Sequence, residues 1–281
     1  MKDARMNIRD ALYEEPGPKT RRRALIGTVL SLIVMAALLT LVIRQFRISG
    51  QLDARYWSVF LRGTTWRFLG QGLLGTLEAA AMAGVVTFLL GFLLMIGRIC
   101  NYKVLRVAAA AVIDFVRGVP TLLFIYFFFL VLPQTGIKLA AFWKITLPVG
   151  ISACGVVAEV LRSGVNAVPK GQKEAACSLG MRETSIFLKV VFPQAIRFVI
   201  PALISELVIV VKDTTFAYVV NFPDLMQNAK VLISNYDAML SVYLVVALIY
   251  IIINYLLNRL SDTIAGRRPR IMSAVEMKGP V

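Results

Sequence analysis

The sequence predicts an all-α, polytopic membrane protein with about six transmembrane helices. Of its 281 residues, 58% are hydrophobic and only 17% are charged, which is too apolar a composition for a soluble domain. The mean hydropathy is +0.73. Uncharged runs occupy residues 24–43, 79–97 and 239–257, and each is long enough to cross about 30 Å of hydrocarbon as a helix.

The first segments of the chain have distinct compositions. Residues 1–23 contain Pro16-Gly17-Pro18 and end in three arginines, which predicts a flexible cytoplasmic tail. The run 24–43 is too long for a signal peptide and lacks a clear small-residue cleavage site, so we expect an extra N-terminal transmembrane helix that stays uncleaved. Residues 44–71 mix basic and aromatic side chains, as is typical of an extracellular amphipathic segment at the headgroup level.

Residues 72–260 are predicted to form the membrane core, followed by a cytoplasmic tail at 261–281. Besides two of the uncharged runs, the core contains three spans that carry polar residues, at about 107–132, 144–161 and 198–220. The middle one is the weakest candidate because its uncharged part is short and contains a proline, Pro148.

Basic residues indicate the orientation. With the amino terminus in the cytoplasm, the inner segments contain 21 lysines and arginines and the outer segments contain 8. Such a bias places both termini inside the cell, in a multi-pass protein of the plasma membrane. The net charge of +15 is thereby explained by membrane orientation, and we expect no nucleic-acid partner.

Several kinds of chemistry find no support in the sequence. The chain has no histidine, and its three cysteines lie far apart, so we expect free thiols, no metal site and no histidine-dependent catalytic triad. No Gly-x-x-x-x-Gly-Lys-Ser/Thr loop is present, so ATP hydrolysis would require another chain. We therefore expect a protein that is not an enzyme and binds no cofactor.

A polar loop, residues 163–197, separates two of the predicted spans. Good helix formers after Pro169 predict a short helix from about Pro169 to Leu179, and Gly180 would end it in a left-handed conformation. Apolar residues then recur at helical spacing until Pro193, which predicts a second small helix ended by that proline. Because Ala175 and Ala176 are small, they would let another protein approach closely.

Ionisable residues in or near the spans are candidates for a substrate pathway, because such groups usually face a cavity or a partner. Asp114 and Arg117 lie three residues apart, as do Glu159 and Arg162, so each pair could equally be a structural ion pair. Lys212 and Asp213 are adjacent and point in different directions from a helix. The candidates are Asp114, Arg117, Glu159, Lys212 and Asp213.

Two prolines could open the backbone of their spans to a cavity. Pro120 and Pro201 each predict a break or a kink, which would free backbone groups for such a cavity. Pro201 is equally compatible with a passive kink.

Residues 170–193 contain Glu174-Ala175-Ala176, then Gly180 at a fixed distance, and resemble the signature cytoplasmic loop of the membrane subunits of bacterial ATP-binding-cassette (ABC) importers. Over about residues 72–257 the chain resembles the permeases of the polar amino-acid branch. Six blocks carry this resemblance, at 117–123, 158–164, 170–176, 193–197, 201–203 and 212–214. Shorter matches at 15–19 and 50–52 resemble actinobacterial glutamate-importer permeases.

The resemblance implies a type I ABC-importer permease fold and the following partners. A cytosolic ATPase dimer, which holds ATP and Mg²⁺, would bind the loop, a related second permease subunit would complete the pathway, and an extracellular solute-binding protein would deliver the solute. The resemblance assigns the ATPase-docking loop to Lys170, Gly171, Gln172, Glu174, Ala175, Ala176, Gly180 and Pro193. It implies import of a polar amino acid, with glutamate as the first candidate.

Three alternatives remain open at this point. Glutamine, aspartate or basic amino acids could be the solute, since residues 154–157 and Thr215-Phe216 depart from the usual family pattern. A stand-alone secondary transporter would need its own coupling-ion site and usually a paired internal repeat, and no repeat is visible. An intramembrane enzyme would need a nucleophile with a base or a metal cluster, for which no convincing set is present.

Overall fold

The computed structural model describes residues 17–266, apart from the side chains of residues 261, 262 and 264–266. Most of both predicted tails therefore lies outside the described residues. The described part of the chain divides into two compact units, with the boundary between Tyr56 and Trp57. Between residues 17 and 266 the regular structure is entirely helical.

The first unit is built on a long apolar helix, α1 (Pro18–Ile48). It begins before the predicted run 24–43 because Pro18 suits a first helical turn and the residues after it are good helix formers. Helix α1 therefore includes the three arginines at the end of the predicted tail. Gly50, with a φ of +70°, follows the end of α1. The short helix α2 (Ala54–Trp57) comes next in the chain.

The second unit contains nine α-helices within its described part. After a tight helical turn at Ser58–Leu61, they are α3 (Gly63–Ile99), α4 (Lys103–Gly118), α5 (Thr121–Tyr126), α6 (Ala141–Ala167), α7 (Lys170–Ser178), α8 (Glu183–Ile186), α9 (Phe192–Asp213), α10 (Leu225–Tyr236) and α11 (Met239–Gly266). Helical turns at Phe127–Val131 and Leu132–Thr135 extend α5. Another at Phe187–Val191 joins α8 to α9, and one at Thr214–Val220 extends α9.

Five helical segments of the described chain are long and apolar enough to cross a membrane: Pro18–Ile48, Gly63–Ile99, Ala141–Ala167, Glu183–Val220 and Met239–Leu260. A sixth candidate is a bent pair, in which Lys103–Gly118 and Thr121–Thr135 meet at 95°. The break falls at Val119-Pro120, so the predicted effect of Pro120 is confirmed. Counting this pair as one span gives six, the predicted number.

The structure of α6 explains why its sequence made it the weakest candidate for a transmembrane span. It is a continuous helix that contains Pro148, and it is the most enclosed of the candidate spans. A helix surrounded by protein does not need the uniform hydrophobicity of a helix that faces lipid. Small residues take the place of large apolar ones: at Gly150, an added Cβ would lie 2.7 Å from Val86 Cγ1.

The centre of the second unit is formed by α3, α6 and α9. Two clusters of buried apolar side chains hold these helices together, one around Ile145 and Val149 and the other around Met95 and Leu161. A hydrogen bond from Thr87 Oγ1 of α3 to the Gly150 carbonyl oxygen of α6 adds a polar link at 3.2 Å. The close packing through small residues is typical of helices that associate in a membrane.

The prediction that Pro193 ends a small helix is wrong. The chain stays helical from Glu183 through Pro193 into α9, because the wide turn at Phe187–Val191 opens the hydrogen-bond ladder just before the proline. Pro193 therefore lies in the first turn of α9, where a missing N–H is tolerated. Pro201 also lies inside α9 without interrupting it.

A buried carboxylate starts α10, outside the membrane-spanning segments. Asp224 is fully buried, and its Oδ1 accepts a hydrogen bond of 2.7 Å from the Gln227 backbone N–H. Its Oδ2 has no hydrogen-bond partner among the described residues. Burial raises the pKa of Asp224 to about 6, although backbone hydrogen bonds partly oppose this.

Replacing Asp224 by asparagine is expected to reduce the pH dependence of stability while preserving the helix cap. Because the folded pKa lies above that of an unfolded aspartate, the ionised carboxylate weakens the fold above about pH 6, and this penalty fades as the pH falls towards about 4. Melting temperatures of both proteins at about pH 5 and about pH 7.5 measure the effect. Equal shifts in the two proteins would contradict the prediction.

Candidate functional site

The polar loop is a structured element that is anchored by one side of α7. The predicted helix is confirmed, since α7 runs from Lys170 to Ser178, with Pro169 just before its first residue. Ala176 is only 5% exposed and belongs to a buried cluster with Val168, Ile186, Val191 and Ala195. The cluster joins the end of α6, α7 and the start of α9, so α7 is held against the bundle by apolar packing.

Gly180 ends α7 in the predicted left-handed conformation, with a φ of +73°. The N–H of Gly180 donates to the Cys177 carbonyl oxygen at 2.9 Å, and the N–H of Met181 donates to the Ala176 carbonyl oxygen at 3.3 Å. These bonds satisfy carbonyls at the end of the helix, as left-handed glycine caps do. The chain then reverses into α8.

Most of the predicted docking residues lie on the exposed side of the loop. Those exposed are Lys170, Gly171, Gln172, Glu174, Ala175, Gly180 and Pro193. Ala176 is the exception, because it anchors α7 inside the chain and is unavailable to a partner. Leu179, which is not among the predicted docking residues, is a large apolar side chain that is 82% exposed beside Gly180. An apolar residue directly before a helix-ending glycine was the available signal.

Two contacts hold the base of the loop. Gln194 Nε2 of α9 donates to Gln172 Oε1 of α7 at 3.3 Å. Gly164, near the end of α6, approaches α9 so closely that an added Cβ would lie 2.8 Å from the Ala195 carbonyl oxygen and 2.7 Å from Val199 Cγ1. The loop is thus fastened to both α6 and α9.

Glu159 is part of a three-residue ion-pair group. Arg162 Nη1 donates to Glu159 Oε2 at 2.8 Å, as the spacing on one helix face predicted. Arg98 of α3 adds a second cation, with its Nε 3.6 Å from Glu159 Oε1. The carboxylate therefore links α3 to α6 and is already neutralised by this chain, which favours a structural role.

Asp213 is also occupied by contacts within the chain. Its Oδ2 accepts a hydrogen bond of 2.9 Å from Thr121 Oγ1, and the Thr121 hydroxyl also lies 2.9 Å from Ser152 Oγ. These three side chains come from the end of α9, the start of α5 and the middle of α6. They fix the chain where the bent span resumes after its break.

The remaining pathway candidates lie on exposed surfaces. Asp114 and Arg117 form no ion pair with each other among the contacts of the described residues, although their spacing allows one. They flank the buried stripe of α4, and the stem of Arg117 packs close to Gly155 of α6. Lys212 is exposed while Asp213 is half-buried, so the two side chains diverge as predicted.

A cavity of about 470 Å³ lies between α3, α6 and α9, and none of the five pathway candidates lines it. Its walls are apolar, with residues such as Val85, Phe88 and Leu207. Glu206 is the single charged residue of the lining and is 7% exposed. The sequence signal for Glu206 was a carboxylate inside a span with no cation at helical spacing.

Together, the spans and the anchored loop define a multi-pass membrane protein that presents a structured loop beyond its spans. The chain belongs to the family of binding-protein-dependent transport system inner membrane components, whose profile matches residues 88–268. The matched part covers the loop, the end of α3, and all of α6 and α9.

Two relatives illustrate the similarity within this family. The glutamate transport system permease protein GluD of Corynebacterium glutamicum is 34% identical over 237 residues, which are 81% of this chain and 87% of GluD. The probable glutamine ABC transporter permease protein GlnP of Bacillus subtilis is 32% identical over 194 residues, which are 68% of this chain and 89% of GlnP.

Solved structures share the fold. The crystal structure of an amino acid ABC transporter with histidines is 29% identical, with a TM-score of 0.67 over 72% of this chain and 94% of the matched chain. The inward-facing MetNI methionine ABC transporter, at 20% identity, has a TM-score of 0.64 over 74% of this chain and 100% of its own. The predicted type I ABC-importer permease fold is thereby confirmed.

Proposed function

We propose that this chain is the membrane permease subunit of an ATP-driven importer of polar amino acids, with glutamate as the first candidate solute. The observation that carries the proposal is the loop around α7, which is anchored by Ala176 and exposes the remaining residues of the docking motif. A similarity to GluD over most of both chains supports glutamate. Similarity to GlnP supports glutamine as the second candidate.

The loop offers a physical route for energy coupling. An ATPase in the cytosol would bind the exposed side of α7, with Leu179 as an apolar contact and the neighbouring charges as a polar rim. Movement of α7 would be transmitted to α6 and α9 through the buried cluster and the close approach at Gly164. A packed bundle of this kind changes between discrete states, and the ATPase would bias their equilibrium.

The other parts of the importer follow from the same proposal. ATP and Mg²⁺ would be bound by a pair of cytosolic ATPase subunits, and this chain would be the pathway subunit without enzymatic activity. A second, related permease would complete the pathway in the plasma membrane, and an extracellular solute-binding protein would deliver the amino acid. Both termini and the loop would then lie in the cytoplasm, as the distribution of basic residues favours.

Uptake measurements test the proposed function. Cells that lack this chain should regain uptake of radiolabelled glutamate when the intact chain is supplied, and uptake should require the cytosolic ATPase. Strongest competition by unlabelled glutamate would support glutamate, whereas stronger competition by aspartate, glutamine or arginine would assign one of the alternative solutes. Uptake that continues without the ATPase would indicate a secondary transporter and contradict the proposal.

A further inference from the structure

A line of four phenylalanine rings connects α3 with the loop around α7. Phe88 and Phe92, one turn apart on α3, have ring centroids 6.3 Å apart. Phe92 then meets Phe192, the first residue of α9, in an edge-to-face contact with the centroids 5.1 Å apart. Phe192 in turn lies 5.6 Å from the ring of Phe187, in the turn before α9. Ring pairs at such distances attract each other, so the four side chains form a continuous contact.

The two ends of this line belong to different parts of the protein. Phe88 lines the apolar cavity between α3, α6 and α9. Phe187 packs against the buried cluster around Ala176 that anchors α7. As the described residues define it, that cluster contains no residue of α3. The contact between Phe92 and Phe192 therefore joins α3 to the loop, a link that the cluster itself does not make.

The wide turn at Phe187–Val191 brings the last two rings together. Side chains five residues apart in a regular α-helix point about 140° away from each other. Phe187 and Phe192 are five residues apart, but the longer hydrogen-bonded ring of the wide turn places more residues in one revolution and turns both side chains towards one face. A return to regular helical spacing would separate them. The turn thus has two possible arrangements, and only one continues the line of rings.

We propose that the contact between Phe92 and Phe192 couples movement of the loop to α3, which makes these two rings positioning residues for transport. This inference rests on the proposed function. Because Phe92 and Phe88 lie on the same helix, displacement of the loop by the ATPase would shift α3 at the wall of the cavity. ATP hydrolysis requires only the docked loop. Loss of the ring contact would therefore preserve hydrolysis and reduce the amount of solute moved for each ATP.

The ratio of solute transported to ATP hydrolysed tests the inference. The full chain is reconstituted in proteoliposomes with its ATPase and permease partners and the solute-binding protein. The labelled solute is the amino acid that the uptake measurement identifies, with glutamate as the first candidate. Uptake and phosphate release are measured in the same preparation for wild type, Phe92→Leu, Phe192→Leu and the double variant. Leucine keeps the position apolar and removes the ring.

Each single variant is expected to lower the ratio about fivefold, which corresponds to the usual strength of one aromatic pair. ATP hydrolysis should stay within about twofold of wild type, because the exposed side of the loop is unchanged. Since both substitutions remove the same contact, the double variant should resemble the more affected single variant. A purely structural role of the rings would lower the melting temperature and leave the ratio unchanged.

Phe142→Leu is the matched control. Phe142 is also half-buried and contacts another ring, that of Phe222, with the centroids 5.8 Å apart. This pair packs in the other buried cluster, around Ile145 and Val149. The control variant loses an aromatic contact of the same kind, so its melting temperature should fall by a similar amount, while its ratio of solute to ATP should remain that of wild type.

Four results would overturn the inference. They are an unchanged ratio in both single variants, an equal fall of the ratio in Phe142→Leu, multiplied effects of the two substitutions in the double variant, and failure of both single variants to assemble when the control assembles. ATP-dependent uptake by wild type together with any of these results removes the inference and leaves the proposed function standing. Wild-type uptake that needs no ATP would contradict both.

Discussion

Gly164→Ala is expected to destabilise the membrane domain by about 1–3 kcal/mol, the usual penalty for overpacking a close contact. The added Cβ would lie 2.8 Å from the backbone oxygen of Ala195 and 2.7 Å from Val199 Cγ1. A backbone atom within a helix cannot move aside alone, so α6 and α9 would have to separate at the base of the loop. A lower melting temperature of the purified chain and less chain in the membrane would measure the effect.

Gly171→Ala is the matched control for this substitution. Gly171 lies in the same loop, and an added Cβ there would meet no atom within 4 Å. Alanine is also the better helix former by about 0.8–1 kcal/mol, so this variant should melt at the wild-type temperature or slightly above. If Gly164→Ala melts like Gly171→Ala, the close approach of α6 and α9 does not limit stability.

Gly180→Val is expected to reduce solute uptake by about tenfold or more while the chain remains in the membrane at its normal level. Gly180 has a φ of +73°, and an L-residue in this region is unfavourable by about 1–2 kcal/mol, more so when it is β-branched. The strain would open the end of α7 and displace the exposed Leu179. Since Gly180 lies in open space on the surface, the bundle itself should fold normally.

Gly180→Asn distinguishes the effect of backbone strain from the steric effect of placing any side chain at this surface position. Asparagine adopts the left-handed conformation more readily than other residues, so this variant should retain a substantial part of uptake. Radiolabelled uptake, normalised to the amount of chain in the membrane, compares the three proteins. Wild-type uptake by Gly180→Val would refute the role of the cap. An equal loss of uptake in both variants would show that the absence of a side chain at position 180 matters and that the backbone conformation does not.

Local sequence patterns predicted the features that depend on neighbouring residues. The helix of α7, the positive φ of Gly180 and the break at Pro120 follow from helix propensity and from the geometry of glycine and proline. The Glu159–Arg162 ion pair likewise follows from spacing on one helix face. Each of these interactions acts within one or two turns, so the sequence contains the information needed to predict it.

Features that depend on contacts between distant helices were not predictable in this way. Helicity through Pro193 requires the wide turn that precedes it, and the burial of Ala176 requires α9 to lie beside α7. The hydrogen bond of Asp213 to Thr121, and the proximity of Ser152 to the same hydroxyl, also join residues that are distant in sequence. The burial of Glu206 beside an apolar cavity likewise requires three separate helices to meet.

The sequence by itself determined that this chain is a membrane protein of about six spans with one structured polar loop, because hydrophobic length, charge bias and backbone chemistry are local properties. Only the tertiary structure decided which ionisable side chains within the spans have partners in the chain and which have none among the described residues. Burial and ion pairing depend on which helix faces meet, and those faces come together from α3, α6 and α9. That is why Glu159 and Asp213 have partners in the described structure, whereas Glu206 has none there and faces a cavity.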